Sequence, residues 1–113
     1  MDEAMIMMQI KMDERKLKRE GNYSLERVYG TIDDYMVNRL NFQKKPDGFY
    51  VGTGSPNDFG NFGLAMVTLG KKPWFMDNVD IWLYFNSEDS DDPNDFVVED
   101  FKDFCSKRYL ATA

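Results

Sequence analysis

From Glu88 to Asp103, sixteen residues carry eight carboxylates (Glu88, Asp89, Asp91, Asp92, Asp95, Glu99, Asp100 and Asp103) and one cation, Lys102. Carboxylates at this density can hold a hard cation, move protons, or attract a basic surface. A calcium loop needs oxygens at alternate positions, Gly at the sixth and a bidentate Glu at the twelfth. Counted from Asp89, the fifth position is Pro93, the sixth Asn94 and the twelfth Asp100, so that register fails. Some of these acids sit where a first helical turn favours negative charge, but eight exceed that need. What is left is either a merely solvated acidic loop, the usual state of a charge run, or an electrostatic handle with Glu88, Asp89, Asp91, Asp92 and Asp95 as partner-binding residues.

Proton shuttling is constrained by what the chain lacks. It has no His and one Cys, so it cannot supply a Ser-His-Asp or Cys-His pair, a Cys/His zinc cage or an internal disulfide. Carboxylate-centred pairs such as Asp58 with Tyr50 and Asp80 with Lys71 can be drawn, but nothing in their spacing fixes a geometry. Gly52-Thr53-Gly54 follows an expected strand, yet Asn57 stands where the dinucleotide fingerprint needs a third Gly, and a strand is expected next. Asp58-Phe59-Gly60 spells a kinase metal-binding tripeptide without the His-Arg-Asp loop that must accompany it. Cys105 lies beside apolar residues at helical spacing and reads as a small buried hydrophobe.

The large apolar groups suggest a second contact surface. Pro73-Trp74-Phe75-Met76 lies between two expected strands; Trp74 and Phe75 either close one end of the core or anchor a partner. Tyr50, Trp82 and Tyr84 alternate with core positions and are expected on an uncovered sheet face.

The elements that must position these residues follow from periodicity. Ile6 to Met12 alternates with period two and is read as a strand. Asp13 caps a short helix closed by Gly21. Ser24 caps the clearest helix, with Leu25, Val28, Tyr29, Ile32, Tyr35, Met36 and Leu40 as its stripe. Gly30 in its middle marks either close packing or tolerated noise. Lys44 to Gly48 reads as a turn, Phe49 to Val51 as a strand and 52–61 as a loop. Phe62 to Leu69, apolar on both faces, reads as a central strand. Val79 to Phe85 is a strand with Val79, Ile81, Leu83 and Phe85 on one side. A last helix enters at Asp92-Pro93 and runs to about Tyr109, with Val97, Phe101, Phe104 and Cys105 inward.

The expected fold is α+β, a two-layer sandwich in the order β-α-β-β-β-α. A mostly antiparallel sheet of about four strands carries two main helices on one face. The 113 residues form one domain, 1–113, and starts at Met5, Met7 or Met8 would make residues 1–7 a dispensable extension. No export signal or membrane span is read, and one thiol without a staple points to the cytoplasm.

With 14 Lys and Arg against 20 Asp and Glu, the net charge is −6, unfavourable for nucleic acid or anionic membranes. The expected function is a small acidic protein-interaction domain, inhibitor- or immunity-like in its physics, that binds a basic surface of a protein partner. It is not read as an enzyme, and no cofactor is expected. The alternatives are a small-ligand or divalent-metal-binding domain, with 52–61 or the acidic loop as its mouth, and a carboxylate-based enzyme lacking histidine.

Overall fold

Met8 is the middle of the sheet: it pairs with Tyr50 on one side and Tyr84 on the other, and all three side chains are buried. The computed structural model describes residues 6–54, 56–86 and 97–110. Strand β1 (Ile6–Met12) alternates strictly between buried and half-buried positions, as its period-two pattern requires. Ile6 and Met7, within the extension expected over residues 1–7, are both paired in β1.

Helix α1 (Glu14–Glu20) begins at Asp13, whose carboxylate accepts the Lys16 amide at 3.0 Å. It ends at Gly21 in the left-handed region, φ 67°, where the absent Cβ removes the steric penalty. Helix α2 (Leu25–Asp33) begins at Ser24, whose hydroxyl accepts the Arg27 amide at 3.1 Å. It continues as a wider π-helical segment, Asp34–Arg39. The expected stripe is the one that buries: Val28, Ile32, Met36 and Leu40 enter the core. Gly30 is exposed and a Cβ there would meet nothing within 4 Å, so it marks no close packing.

The expected turn over Lys44 to Gly48 contains a strand. Residues Gln43–Lys45 form β2, a single 3-10 turn at Pro46–Gly48 reverses the chain, and Phe49–Val51 form β3. This short lysine-bearing edge strand is one of two strands not expected from the sequence, and with one expected strand replaced by a helix the sheet has five strands rather than about four.

The largest departure follows. Residues 62–69 are not a strand but the body of helix α3 (Asp58–Gly70). Short apolar runs do not distinguish a buried strand from a buried helix by periodicity. Here Phe62, Ala65 and Leu69, at helical spacing, supply the core, while Phe59 and Leu64 remain exposed. A four-residue helix α4 (Pro73–Met76) leads into β4 (Val79–Asn86).

The side-chain phase of β4 is the reverse of the expected one. Met12 pairs with Val79 but Lys11 with Ile81, which leaves Asp80 as an extra, bulged residue. Beyond the bulge, Trp82 and Tyr84 point into the core, and Ile81, Leu83 and Phe85 take the other face. Tyr50, Trp82 and Tyr84 therefore do not line an open face; they form the floor on which the helices rest.

Strand β5 (Val97–Asp100) pairs with β4 where a helix was expected, and helix α5 (Phe101–Cys105) follows, extended by a π-helical segment, Ser106–Leu110. Val97 and Phe104 are consequently exposed; Phe101 and Cys105 are inward as expected. The helix entry read at Asp92-Pro93 lies outside the described residues.

The antiparallel order is β2-β3-β1-β4-β5. The buried residues of α1 to α5 join those of one sheet face in one core cluster, giving an α+β sandwich of two layers. Its centre is aromatic: Phe75 meets Trp82 edge-on at 4.9 Å, Trp82 meets Phe101 edge-on at 5.6 Å, and Tyr84 stacks on Phe101 at 5.0 Å. Among the described residues no helix is long and apolar enough to cross a membrane.

Candidate functional site

Helix α3 has two working faces. Phe62, Ala65 and Leu69 pack downward, while Phe59, Gly63 and Met66, at i, i+4 and i+7, line one wall of a cleft. The opposite wall is Phe101 and Phe104 of α5, and the floor is Tyr84 and Asn86 of β4 with Val97 and Glu99 of β5. The cleft is half open and its volume is about 510 Å³, within the usual range for ligand pockets. Gly63 presents no side chain, and a Cβ there would meet nothing within 4 Å, so the wall is set back at that point.

The cleft is apolar and its rim is unusually so. Phe59 is 60% exposed, Phe104 42% and Val97 58%. Three large apolar groups around one concave site exceed the scattered exposed hydrophobes of ordinary surfaces. The floor is held firmly, because Tyr84 stacks on Phe101 and packs against Phe62, which itself stacks on Phe42 at 3.9 Å. The Asn86 amide donates to the Tyr84 hydroxyl at 3.5 Å, placing a polar pair at one end. The Arg108 guanidinium lies 5.7 Å from the centre of the Phe104 ring, a cation–π distance.

Asn86 and Val97 are a cross-strand pair, so the ten residues between them connect β4 to β5 from the edge of this cleft. Glu88, Asp89, Asp91, Asp92 and Asp95 lie in that connection, outside the described residues. Their covalent anchors are nonetheless fixed. Between 86 and 100 the chain carries seven carboxylates and no cation, whereas the remainder carries thirteen acids against all fourteen Lys and Arg. The entire net negative charge belongs to this one hairpin.

The other candidates separate. Phe75 is fully buried against Trp82 and presents no surface to a partner. Trp74 remains half-buried, edge-on to Phe75 at 5.9 Å, beside the exposed Tyr23 at the α1–α2 junction. Asp58, Tyr50 and Asp80 do not converge. The Tyr50 hydroxyl donates to Asp33, which Lys44 also bonds at 2.5 Å, and burial with that carboxylate raises the phenol well above its ordinary value. Asp80 is exposed at its bulge.

Asp58 is buried at the start of α3 and accepts the Gly54 amide at 2.9 Å. A helix does follow Gly52-Thr53-Gly54, contrary to the expected strand, but this internal carboxylate already takes the amide that a phosphate would use. Cys105 is buried, its thiol directed at the Met66 carbonyl at 3.9 Å; burial pushes it up to about 11 against the opposing pull of Arg108. Among the described residues no group of three or more metal-binding side chains gathers.

Sequence reasoning missed Phe59, Val97 and Phe104 as surface groups. The spacing of Phe62, Ala65 and Leu69 carried the information for α3, and it leaves Phe59 off the core face. For Val97 and Phe104 no comparable cue existed, since i, i+4, i+7 and i+8 spacing suited one continuous helix. Comparison with protein-family models, curated proteins and solved structures finds no significant match to this chain.

Proposed function

We propose that the chain is a protein-interaction domain whose cleft between α3 and α5 receives an amphipathic, basic segment of a partner protein. The observation that carries this reading is the anchoring of the acidic connection at Asn86 and Val97, both of which line an apolar cleft with exposed Phe59 and Phe104. Interfaces combine an apolar, aromatic centre with a charged rim, and complementary charge accelerates encounter while fixing orientation. An apolar helix face set into such a cleft would bring flanking Lys or Arg to Glu99 and to the edge at which the acidic connection begins and ends. Masking the basic site of another protein, as inhibitors and immunity proteins do, is the role this charge distribution suits best.

A second reading, a small apolar ligand, draws on the 510 Å³ volume and on the Tyr84–Asn86 polar pair at one end. One binding experiment separates the two. Two fluorescent amphipathic peptides, Leu/Lys and Leu/Glu, are titrated with the protein at about 50 and about 300 mM salt, across which the screening length falls from roughly 14 to roughly 6 Å. Binding of the Leu/Lys peptide alone, weakened at high salt, by Phe104→Ser and by combined Asp89→Asn, Asp91→Asn, Asp92→Asn and Asp95→Asn, supports the partner reading. Equal binding of both peptides, or indifference to both sets of changes, overturns it. An apolar dye displaced by neither peptide but sensitive to Phe104→Ser favours the small ligand.

A further inference from the structure

A second concavity opens between α4 and the start of α2, and it shares no lining residue with the cleft between α3 and α5. Its mouth is broad and its volume is about 520 Å³, within the usual range for ligand pockets. Two aromatic side chains line it: Trp74, half-buried, and Tyr23, 46% exposed. Val28, buried in the core, is the third apolar group, and Asn22 and Thr31 add neutral polar ones. Both rings sit on fixed backbone. Trp74 packs on the core, edge-on to buried Phe75, and its carbonyl accepts the Asn78 amide at 2.8 Å. Tyr23 stands between Gly21, which ends α1, and Ser24, which caps α2. A site ordered in advance loses little freedom on binding.

The charge at this site has one source. Arg27 is the single charged side chain on the lining. Its amide and carbonyl are bonded to the hydroxyls of Ser24 and Thr31, but among the described residues its guanidinium has no partner. Glu26 and Asp34 line an adjoining depression that Arg27 shares, yet neither pairs with it, and Asp34 accepts the Asn38 amide at 2.9 Å. The other adjoining depression, which shares Tyr23 and Trp74, holds two carboxylates, Glu20 and Asp77, against Lys16. The Lys16 ammonium there already donates to the Asp77 main-chain carbonyl. A negative group on a ligand therefore belongs at Arg27 and not at that end.

We propose that this concavity binds a small molecule composed of an apolar ring and a carboxylate, with the ring against Tyr23 and Trp74 and the carboxylate on Arg27. Aromatic side chains pair favourably with flat rings. The guanidinium fork matches the two oxygens of a carboxylate. A lone cation balances the single charge of a carboxylate, whereas a phosphate monoester would bring about −1.5 to −2. Trp and Tyr faces also attract cations, but a cation here would sit beside an unpaired guanidinium.

The test titrates phenylacetate, phenethyl alcohol and phenethylamine into the isotope-labelled chain, read by heteronuclear NMR. The chain has two Trp, so two indole N–H signals report, and Trp74→Phe assigns them. The Trp82 indole donates to the Met8 sulfur at 3.1 Å inside the core and serves as the internal reference. Phenylacetate should shift the Trp74 signal with a dissociation constant of about 0.1–10 mM, as befits a ligand of about ten heavy atoms. The alcohol should bind about fivefold more weakly, the worth of one well-formed exposed ion pair, and the amine more weakly still. Arg27→Gln should erase the preference for the acid over the alcohol, and Tyr23→Ser should weaken both. Both residues are exposed, so the variants keep the fold, and Phe104→Ser, in the other cleft, should change nothing. Equal binding of the three compounds, no Trp74 shift up to about 20 mM phenylacetate, an acid preference that survives Arg27→Gln, or binding lost on Phe104→Ser overturns the proposal.

Discussion

The carboxylate of Asp58 occupies the space that a side chain on Gly52 would need. A Cβ built on Gly52 lies 2.5 Å from Asp58 Oδ2 and 3.3 Å from the Ile6 carbonyl oxygen. That oxygen of Asp58 also accepts the Gly54 amide, which ties the loop after β3 to the first turn of α3. Gly52→Ala must displace a buried, hydrogen-bonded carboxylate and is expected to lower stability by about 1–3 kcal/mol. Urea denaturation of Gly52→Ala, Asp58→Ala and the double variant checks the cause. The alanine at 52 should cost less once the carboxylate is gone; strictly additive losses would exclude it.

Phe75 and Trp74 are neighbours with different duties. Phe75 is sealed against Trp82, so Phe75→Ala is expected to cost about 3–5 kcal/mol through lost contacts and a cavity. Trp74 keeps one side in solvent, and Trp74→Ala should cost less than half as much. Thermal melts of the two variants rank them directly. Equal losses would mean that Trp74 carries core packing that its partial exposure does not reveal.

The elements whose local chemistry agrees with their burial were legible before any coordinates. Asp13, Gly21 and Ser24 punctuate α1 and α2 as their residue types dictate, and Ile6 to Met12 alternates as a strand should. The errors fall where one pattern admits two structures. The run from Phe62 to Leu69 satisfies both a central strand and a buried helix, and only its Ala and Leu spacing favours the helix. The phase of β4 turns on one bulged residue, Asp80, which no periodicity count anticipates. That single residue put Trp82 and Tyr84 inward and Ile81, Leu83 and Phe85 on the other face.

The candidate site was half legible. The charge of the β4–β5 connection is a property of sequence, whereas the cleft beside it depends on α3 and α5 approaching across β4, a tertiary fact. Phe59 and Phe104 are 45 positions apart and share no local pattern.

Gly30 offers a control for all destabilising changes. It sits in the middle of α2, exposed, with open space where a Cβ would go. Gly30→Ala removes backbone freedom from the unfolded chain without a clash and is expected to stabilise by about 0.5–1 kcal/mol. An unchanged or lower denaturation midpoint would show that the turn needs glycine for a reason other than space.

Cys105 gives the fold a dependence on alkaline pH. Burial disfavours the thiolate and outweighs the Arg108 guanidinium, so the thiol is pushed from its ordinary 9.0 up to about 11. Raising the folded pKa means that the unfolded chain releases this proton first. The contribution to stability is therefore complete below about pH 9 and lost as pH rises toward 11. Tyr29 and Tyr50 are raised in the same direction by burial and carboxylate neighbours, so the whole chain should weaken in alkali. Cys105→Ala isolates the thiol's share: it lowers stability at neutral pH by opening a small cavity, but its stability should fall less steeply between pH 9 and 11 than that of the unsubstituted chain. Denaturant midpoints at half-unit pH intervals measure both slopes. In parallel, a thiol reagent at pH 8 should modify the native chain at least about a hundredfold more slowly than the urea-unfolded one, because buried thiols react only on opening. Identical pH slopes together with rapid native labelling would place the sulfur at the surface, contradicting its contact with the Met66 carbonyl.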